Sequence, residues 1–240
     1  MRIRNILRLH TVNRMQSFGW PLIIMGMALA VVLAIGGIAR AAGLGDADLA
    51  DMYEGMRFNG AIFALLGPVI GFGFVVMSQY FPLALGLGLT RREFALGTGL
   101  LFVLEAVGYT AVVSIGRWIE DATTGFGLHI RFFDVVYTSI GPWWHTPIQA
   151  FVLILATMLI GAAISSAFQR WGQPFLWVFW IVLAVIGLAI GGLLALVPSS
   201  RPVVWDLLQI GWGPWMGVLA VVAVIAGCVW FALVRHVQVD

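Results

Sequence analysis

The chain has 240 residues, 61% of them hydrophobic and 10% charged, with a formal net charge of +2 and a mean hydropathy of +1.00. A soluble domain carries roughly a quarter charged residues, so this composition cannot cover a water-facing surface, and it leaves an integral membrane protein. The apolar runs are continuous rather than alternating, which excludes a β-barrel and predicts an all-α integral membrane protein built as one domain over residues 1–240.

Residues 1–17 carry Arg2, Arg4, Arg8 and Arg14 among Ile3, Ile6, Leu7 and Leu9. The pattern reads either as an amphipathic N-terminal helix lying on the inner leaflet or as a plain positively charged topology signal. The apolar run that follows is too long for a cleavable signal peptide and lacks a small-residue cleavage site.

A membrane-spanning helix needs about 20 mostly apolar residues. Six transmembrane helices meet that length, at about 18–41, 60–81, 94–115, 148–168, 175–197 and 214–234. A polar loop near Asp46–Arg57 joins the first two, and residues 82–93 form a short charged elbow between the second and third. A longer loop spans Arg117–Thr146, a tight turn covers Gln169–Pro174, and an apolar loop covers Pro198–Gly213. The stretch Phe126–Tyr137 is aromatic enough to rest on the outer leaflet. The last loop, with Val203, Val204, Trp205, Leu207 and Leu208, is expected to dip into the outer membrane face. Trp20, Trp118, Trp143, Trp144, Trp171, Trp205, Trp212 and Trp215 fall near span ends, as an aromatic belt requires.

Every basic residue is arginine. With the N-terminus inside, the inner segments hold eight arginines on very short loops, and the outer segments hold five on longer ones. The positive-inside bias therefore places the N- and C-termini in the cytoplasm. Eight acidic residues fall in the outer loops, in agreement.

Without lysine there is no Walker A loop, so any ATP this protein uses is bound by another chain. Zinc-protease and nucleophile-elbow patterns are absent. His10, His129, His145 and His236 all lie at or outside span ends, which rules out a haem held between facing spans. No enzymatic chemistry is expected of this chain. Cys228, the single cysteine, reads as a small buried residue.

Glu105 is the one carboxylate inside an expected span. It reads either as a polar lining of a pathway or proton relay, or as a hydrogen-bonded group joining helices through Tyr109 one turn on. Its separation from the Arg91–Glu93 turn puts it roughly 15 Å along the helix, near mid-depth. Gly67/Gly71, Gly187/Gly191 and Gly213/Gly217 have the four-residue spacing that permits close helix approach. Pro68, Gly71 and Gly73 predict a kink in the second span.

The elbow is the sharpest motif. Pro82 follows the second span, Gly86 and Gly88 break the run, and Thr90 is placed to cap a helix opening with Arg91, Arg92 and Glu93. The run Gly88-Leu-Thr-Arg-Arg-Glu-Phe-Ala-Leu-Gly97 fits the pattern G-[LVI]-[ST]-R-[RK]-x-[FY]-x-x-G. In this it resembles the cytoplasmic elbow of permease (transmembrane) subunits of ATP-binding cassette (ABC) transporters, the bacterial six-span exporter (type-2) class. The span count, cytoplasmic termini, amphipathic N-terminal segment and polar dip before the sixth span resemble that class too.

The resemblance implies that Leu89, Thr90, Arg91, Arg92, Glu93 and Phe94 couple the spans to a separate ABC ATPase subunit. The arginines would meet carboxylates, and Leu89 and Phe94 would serve as apolar anchors. The bland alternative is that two arginines in an inner loop merely set topology. The resemblance further implies a dimer with a second copy or a related permease chain in the lipid bilayer of a bacterial inner membrane. ATP and Mg would sit on the partner ATPase, with no cofactor, metal or nucleic acid on this chain. Spans two and five would line the pathway, with Ser78, Gln79 and Tyr80 near its inner mouth. Two other classes stay open: a non-transporting membrane scaffold or sensor partner, and an ATP-independent carrier, which would show inverted repeats and several polar groups in its spans.

Overall fold

A computed structural model of the chain describes residues 15–43, 45–136, 138, 141–197, 199, 202 and 211–237. Among these residues the fold is all-helical, without strands. Helix α1 is Met15–Ala41, α2 Asp46–Gly55, α3 Ala61–Gly86, α4 Arg91–Ala122, α5 His145–Trp171, α6 Gln173–Leu196 and α7 Trp212–Val234. All but α2 are long and apolar enough to cross a membrane, so the chain is a multi-pass membrane protein with six candidate spans. Each expected span overlaps one of these helices; the largest differences are at the ends of α3, which runs five residues past Phe81, and of α4, which runs seven past Ile115. The expected amphipathic helix, but for its last residues, and most of the expected dip before α7 lie outside the described residues.

The helices begin and end where local chemistry requires. Pro174 sits in the first turn of α6, where a missing N–H costs nothing, and Pro21 follows directly on the π turn Met15–Gly19 that opens α1. In α3 the tight 3₁₀ turn Ala61–Leu65 widens to an α-helix just before Pro68. Toward its end α3 widens again over Val76–Tyr80, where the Phe81 N–H reaches back five residues to the Val76 carbonyl. The next residue, Pro82, has no N–H to donate and would clash with a regular turn, so a local π pitch absorbs the defect. The second span thus runs through Pro82 to Gly86 instead of stopping at Phe81. At 32 residues, α4 is about 48 Å long, well beyond the ~30 Å hydrocarbon core.

Helix α5 is the hub and packs against α3, α4 and α7. It crosses α3 where Gly73 and Gly161 let the two backbones meet. A Cβ on Gly161 would stand 2.4 Å from the Ile70 carbonyl oxygen, and one on Gly73 would stand 2.7 Å from the Ala162 nitrogen. The glycine pairs singled out from spacing do otherwise: Gly67, Gly71, Gly187, Gly191, Gly213 and Gly217 have nothing within 4 Å of a Cβ position. Trp230 of α7 closes the core by donating its indole N–H to the Met77 sulfur at 3.2 Å and packing on Phe102. Cys228, on another face of α7, is exposed rather than buried. Helix α6 buries no residue along its length. In a bilayer this is no defect, since lipid tails are as apolar as its side chains.

Candidate functional site

The turn between α3 and α4 is held at both ends by hydrogen bonds. Helix α3 terminates in a Schellman motif: Leu89 N–H donates to the Ala84 carbonyl at 3.0 Å, and Gly88 N–H to Leu85 at 2.9 Å. This ending needs a left-handed residue, and Gly88 supplies it at φ +78°. Two residues on, Thr90 caps α4. Its hydroxyl accepts from Glu93 N–H at 3.2 Å, and the Glu93 carboxylate accepts from Thr90 N–H at 2.9 Å, a reciprocal capping box. Residues 82–93 are therefore two helix ends and a four-residue turn, Leu87–Thr90, not a separate elbow helix.

The six residues expected to couple are sorted by burial. Leu87, just before them, is 66% exposed, and Gly88, Thr90 and Arg92 are also exposed. Leu89 is half-buried. Phe94 is fully buried against Phe81 at 5.1 Å, so it is no external anchor; it ties the turn to the core. Arg91 is also occupied: its guanidinium donates to the carbonyls of Val234 at 3.1 Å and Val237 at 2.5 Å, at the end of α7, and lies over Phe81. A cation on the last carbonyls of a helix answers both their unmet hydrogen bonds and the helix dipole. Arg92 is left as the outward-facing charge.

The turn also projects. Tyr80 donates to the Gln16 side chain at 3.3 Å, which puts the start of α1 level with Tyr80. From there α3 continues six residues to Gly86, about 9 Å further. The turn therefore stands beyond the level of Gln16.

Beneath it lies a polar cluster. The Tyr109 hydroxyl donates to the Ser17 carbonyl in the first turn of α1. Glu105, one turn before Tyr109, is fully buried, and among the described residues neither carboxylate oxygen has a hydrogen-bond partner. The expectation that Tyr109 would satisfy Glu105 is thus not met, because Tyr109 is used by Ser17. Glu105 interacts electrostatically with both Tyr109 and Tyr80. Those tyrosines in turn meet Gln16 and Ser17 of α1. Of the residues expected at the pathway mouth, Tyr80 joins this cluster, whereas Ser78 and Gln79 point outward from α3. The Ser78 hydroxyl is occupied by the Phe74 carbonyl at 2.9 Å.

At the opposite end of the bundle is an assembly that sequence reasoning missed. Residues 130–135 do not rest on a leaflet. Ile130, Phe132, Phe133 and Val135 are buried in the protein, where Gly36 leaves room for Ile130 and Gly116 for the Phe133 ring. The Glu120 carboxylate holds this segment by accepting three backbone N–H groups, from Phe132 at 2.9 Å, Phe133 at 2.8 Å and Asp134 at 3.0 Å. Arg117 reaches Asp134 at 3.3 Å and Thr146, and Arg131 bridges Asp134 and Glu54. Arg131 also stacks 4.0 Å from the Tyr53 ring centroid. Burial raises the Tyr53 phenol above its ordinary pKa, with the Arg131 charge opposing the rise. The aromatic-acidic composition of 126–137 was the available signal, but only the fold shows that Glu120 faces three amides twelve to fourteen residues on.

Fold and sites together define an all-helical, multi-pass membrane protein with a rigid projecting turn at one end and a pinned polar loop at the other. The chain matches no protein-family model, no curated protein and no solved structure.

Proposed function

We propose that this chain is the membrane-spanning permease subunit of an ABC transporter, an exporter of the bacterial inner membrane, with both termini in the cytoplasm. It would work as a dimer with a second copy or a related chain, driven by a separate ATPase subunit carrying ATP and Mg. One observation carries the reading. The segment whose sequence resembles the family's coupling elbow is a hydrogen-bonded turn that projects past the level of Gln16 and presents Leu87 and Arg92 outward.

A docking point for a motor must be stiff, accessible and mechanically tied to the spans. The Schellman ending and capping box supply stiffness. Arg91 ties the turn to α7, and Phe94 ties it to the core. Force applied at Arg92 would thus reach α3, α4 and α7 together. The open faces of α6 and of Ser78 and Gln79 suit a pathway formed with a second subunit.

The test is co-purification with a Walker A ATPase encoded beside this chain, followed by ATP hydrolysis in lipid. Charge reversal at Arg92 should abolish co-purification and lower stimulated hydrolysis at least tenfold. An Arg92→Glu protein that assembles and turns over normally overturns the reading.

A further inference from the structure

Two buried polar groups in the cluster around Tyr109 have no use in the transport reading. Neither oxygen of the Glu105 carboxyl, nor the hydroxyl of Ser17 on α1, has a hydrogen-bond partner among the described residues. We infer that Glu105 is a proton-binding latch: the first turn of α1 seats on α4 while the carboxyl is neutral and is released when it is ionised.

The packing accepts only the neutral form. Neither Glu105 oxygen keeps room for a water molecule beside it. The groups that face the carboxyl are Tyr109 on its own helix and Tyr80 on α3. No arginine or histidine among the described residues interacts with it. Ionisable side chains on the other helices of the bundle are Arg40 on α1, His145 and Arg170 at the ends of α5, and the exposed Cys228 on α7. An anion held here would lack water, donor and counter-charge, which costs far more than burying the neutral acid.

The seat of α1 is built so that an ionised Glu105 undoes it. The hydroxyl placed to answer the anion is that of Tyr109, one turn on, whose side chain leans toward the N-terminal end of α4 and so over the turn that carries Glu105. That hydroxyl is committed to the Ser17 carbonyl. Turning it to Glu105 breaks the bond and leaves the Ser17 carbonyl and hydroxyl both unmet. The remaining hold is slight. The Phe18 ring lies 5.5 Å from the Tyr109 ring and rests on Gly108, and Gln16 accepts from Tyr80 at 3.3 Å. Beyond its first turn, α1 is fastened elsewhere, to the first turns of α3 and to the turn Gly125–His129. Met15–Gly19 also winds with the wide π pitch, a local irregularity that lets this turn move without the rest of the span. Seating takes one proton from solvent and release returns it to solvent. Acid therefore favours the seated turn and alkali the released one.

The inference does not depend on the transport reading, since no ATPase enters its test. Full-length protein in lipid discs, in a Cys228→Ala background, carries nitroxide labels at Met15→Cys and Leu96→Cys, both exposed positions. Pulsed electron resonance then measures their separation from mildly acid to alkaline buffer. One distance is expected in acid, with a second, longer one growing in as the pH rises. The infrared stretch of a protonated carboxyl, missing from Glu105→Gln protein, should vanish over the same pH range. Glu105→Gln and Glu105→Met, neutral at every pH, should keep the shorter distance throughout, whereas Tyr109→Phe should show the longer one even in acid. A monodisperse elution profile verifies folding of each variant. No second distance in alkali, the same alkaline shift in folded Glu105→Gln protein, or a fully seated turn in Tyr109→Phe protein overturns the inference.

Discussion

The Arg91 guanidinium donates to the carbonyl oxygen of Val234 at 3.1 Å, joining the first residue of α4 to the last of α7 across 143 positions of sequence. Two adjacent arginines that look equivalent in sequence therefore do different work. Arg91→Ala removes charge-assisted bonds to helix-end carbonyls and should cost about 1–3 kcal/mol. Arg92→Ala should stay within about 0.5 kcal/mol. Thermal unfolding of the two variants in detergent measures the difference.

Glu120, buried in the last turns of α4, should be costly to replace. Glu120→Ala leaves the amides of Phe132, Phe133 and Asp134 without their acceptor in a buried setting. The expected loss is on the order of 3–5 kcal/mol, because each unsatisfied buried donor costs about 1–3 kcal/mol. Faster hydrogen exchange at those three amides, with α3 and α5 still protected, is the accompanying signature.

At the α3–α5 crossing, Gly161→Ala forces a methyl group against the Ile70 carbonyl and should destabilise by about 1–3 kcal/mol. Gly67→Ala and Gly71→Ala place their methyls in open space and should be neutral or slightly stabilising through helix propensity. Melting temperatures of the three proteins decide the matter, and equal losses would refute the assigned crossing.

Glu105→Met replaces a buried carboxyl without a hydrogen-bond partner among the described residues by an apolar side chain of similar size. Removing an unsatisfied buried polar group should raise stability by about 1–3 kcal/mol. A raised melting temperature in detergent is the expected outcome. Lower stability would show that the carboxyl is structurally required.

Topology has a direct test in a Cys228→Ala background. Leu87→Cys at the turn and Ala50→Cys on α2 are both exposed and lie at opposite ends of the bundle. A membrane-impermeant maleimide should label Ala50→Cys in intact spheroplasts and Leu87→Cys only in inverted vesicles. The reverse pattern would invert the proposed orientation.

The number and placement of the spans were legible from sequence because the requirement is local: a helix must stay apolar for the thickness of the bilayer. Thr90 as a cap was legible for the same reason, since the capping box spans four residues. Phe94 was misread as an external anchor because burial depends on what α3 and α7 bring alongside it. The glycine pairs misled too. Spacing marks where close approach is allowed, whereas Gly73 and Gly161 meet only because α3 and α5 cross there.

By itself, then, the sequence determined the solvent of this protein, its all-helical class, its six spans and the rigid turn after Gly86, all consequences of hydropathy and short-range hydrogen bonding. The tertiary structure alone decided that Arg91 serves α7 while Arg92 stays exposed, that Glu105 is left unpaired by Tyr109, and that Glu120 pins a buried loop. Each of these is a partnership between residues far apart in the chain, and helix packing, which no local pattern encodes, selects the partners.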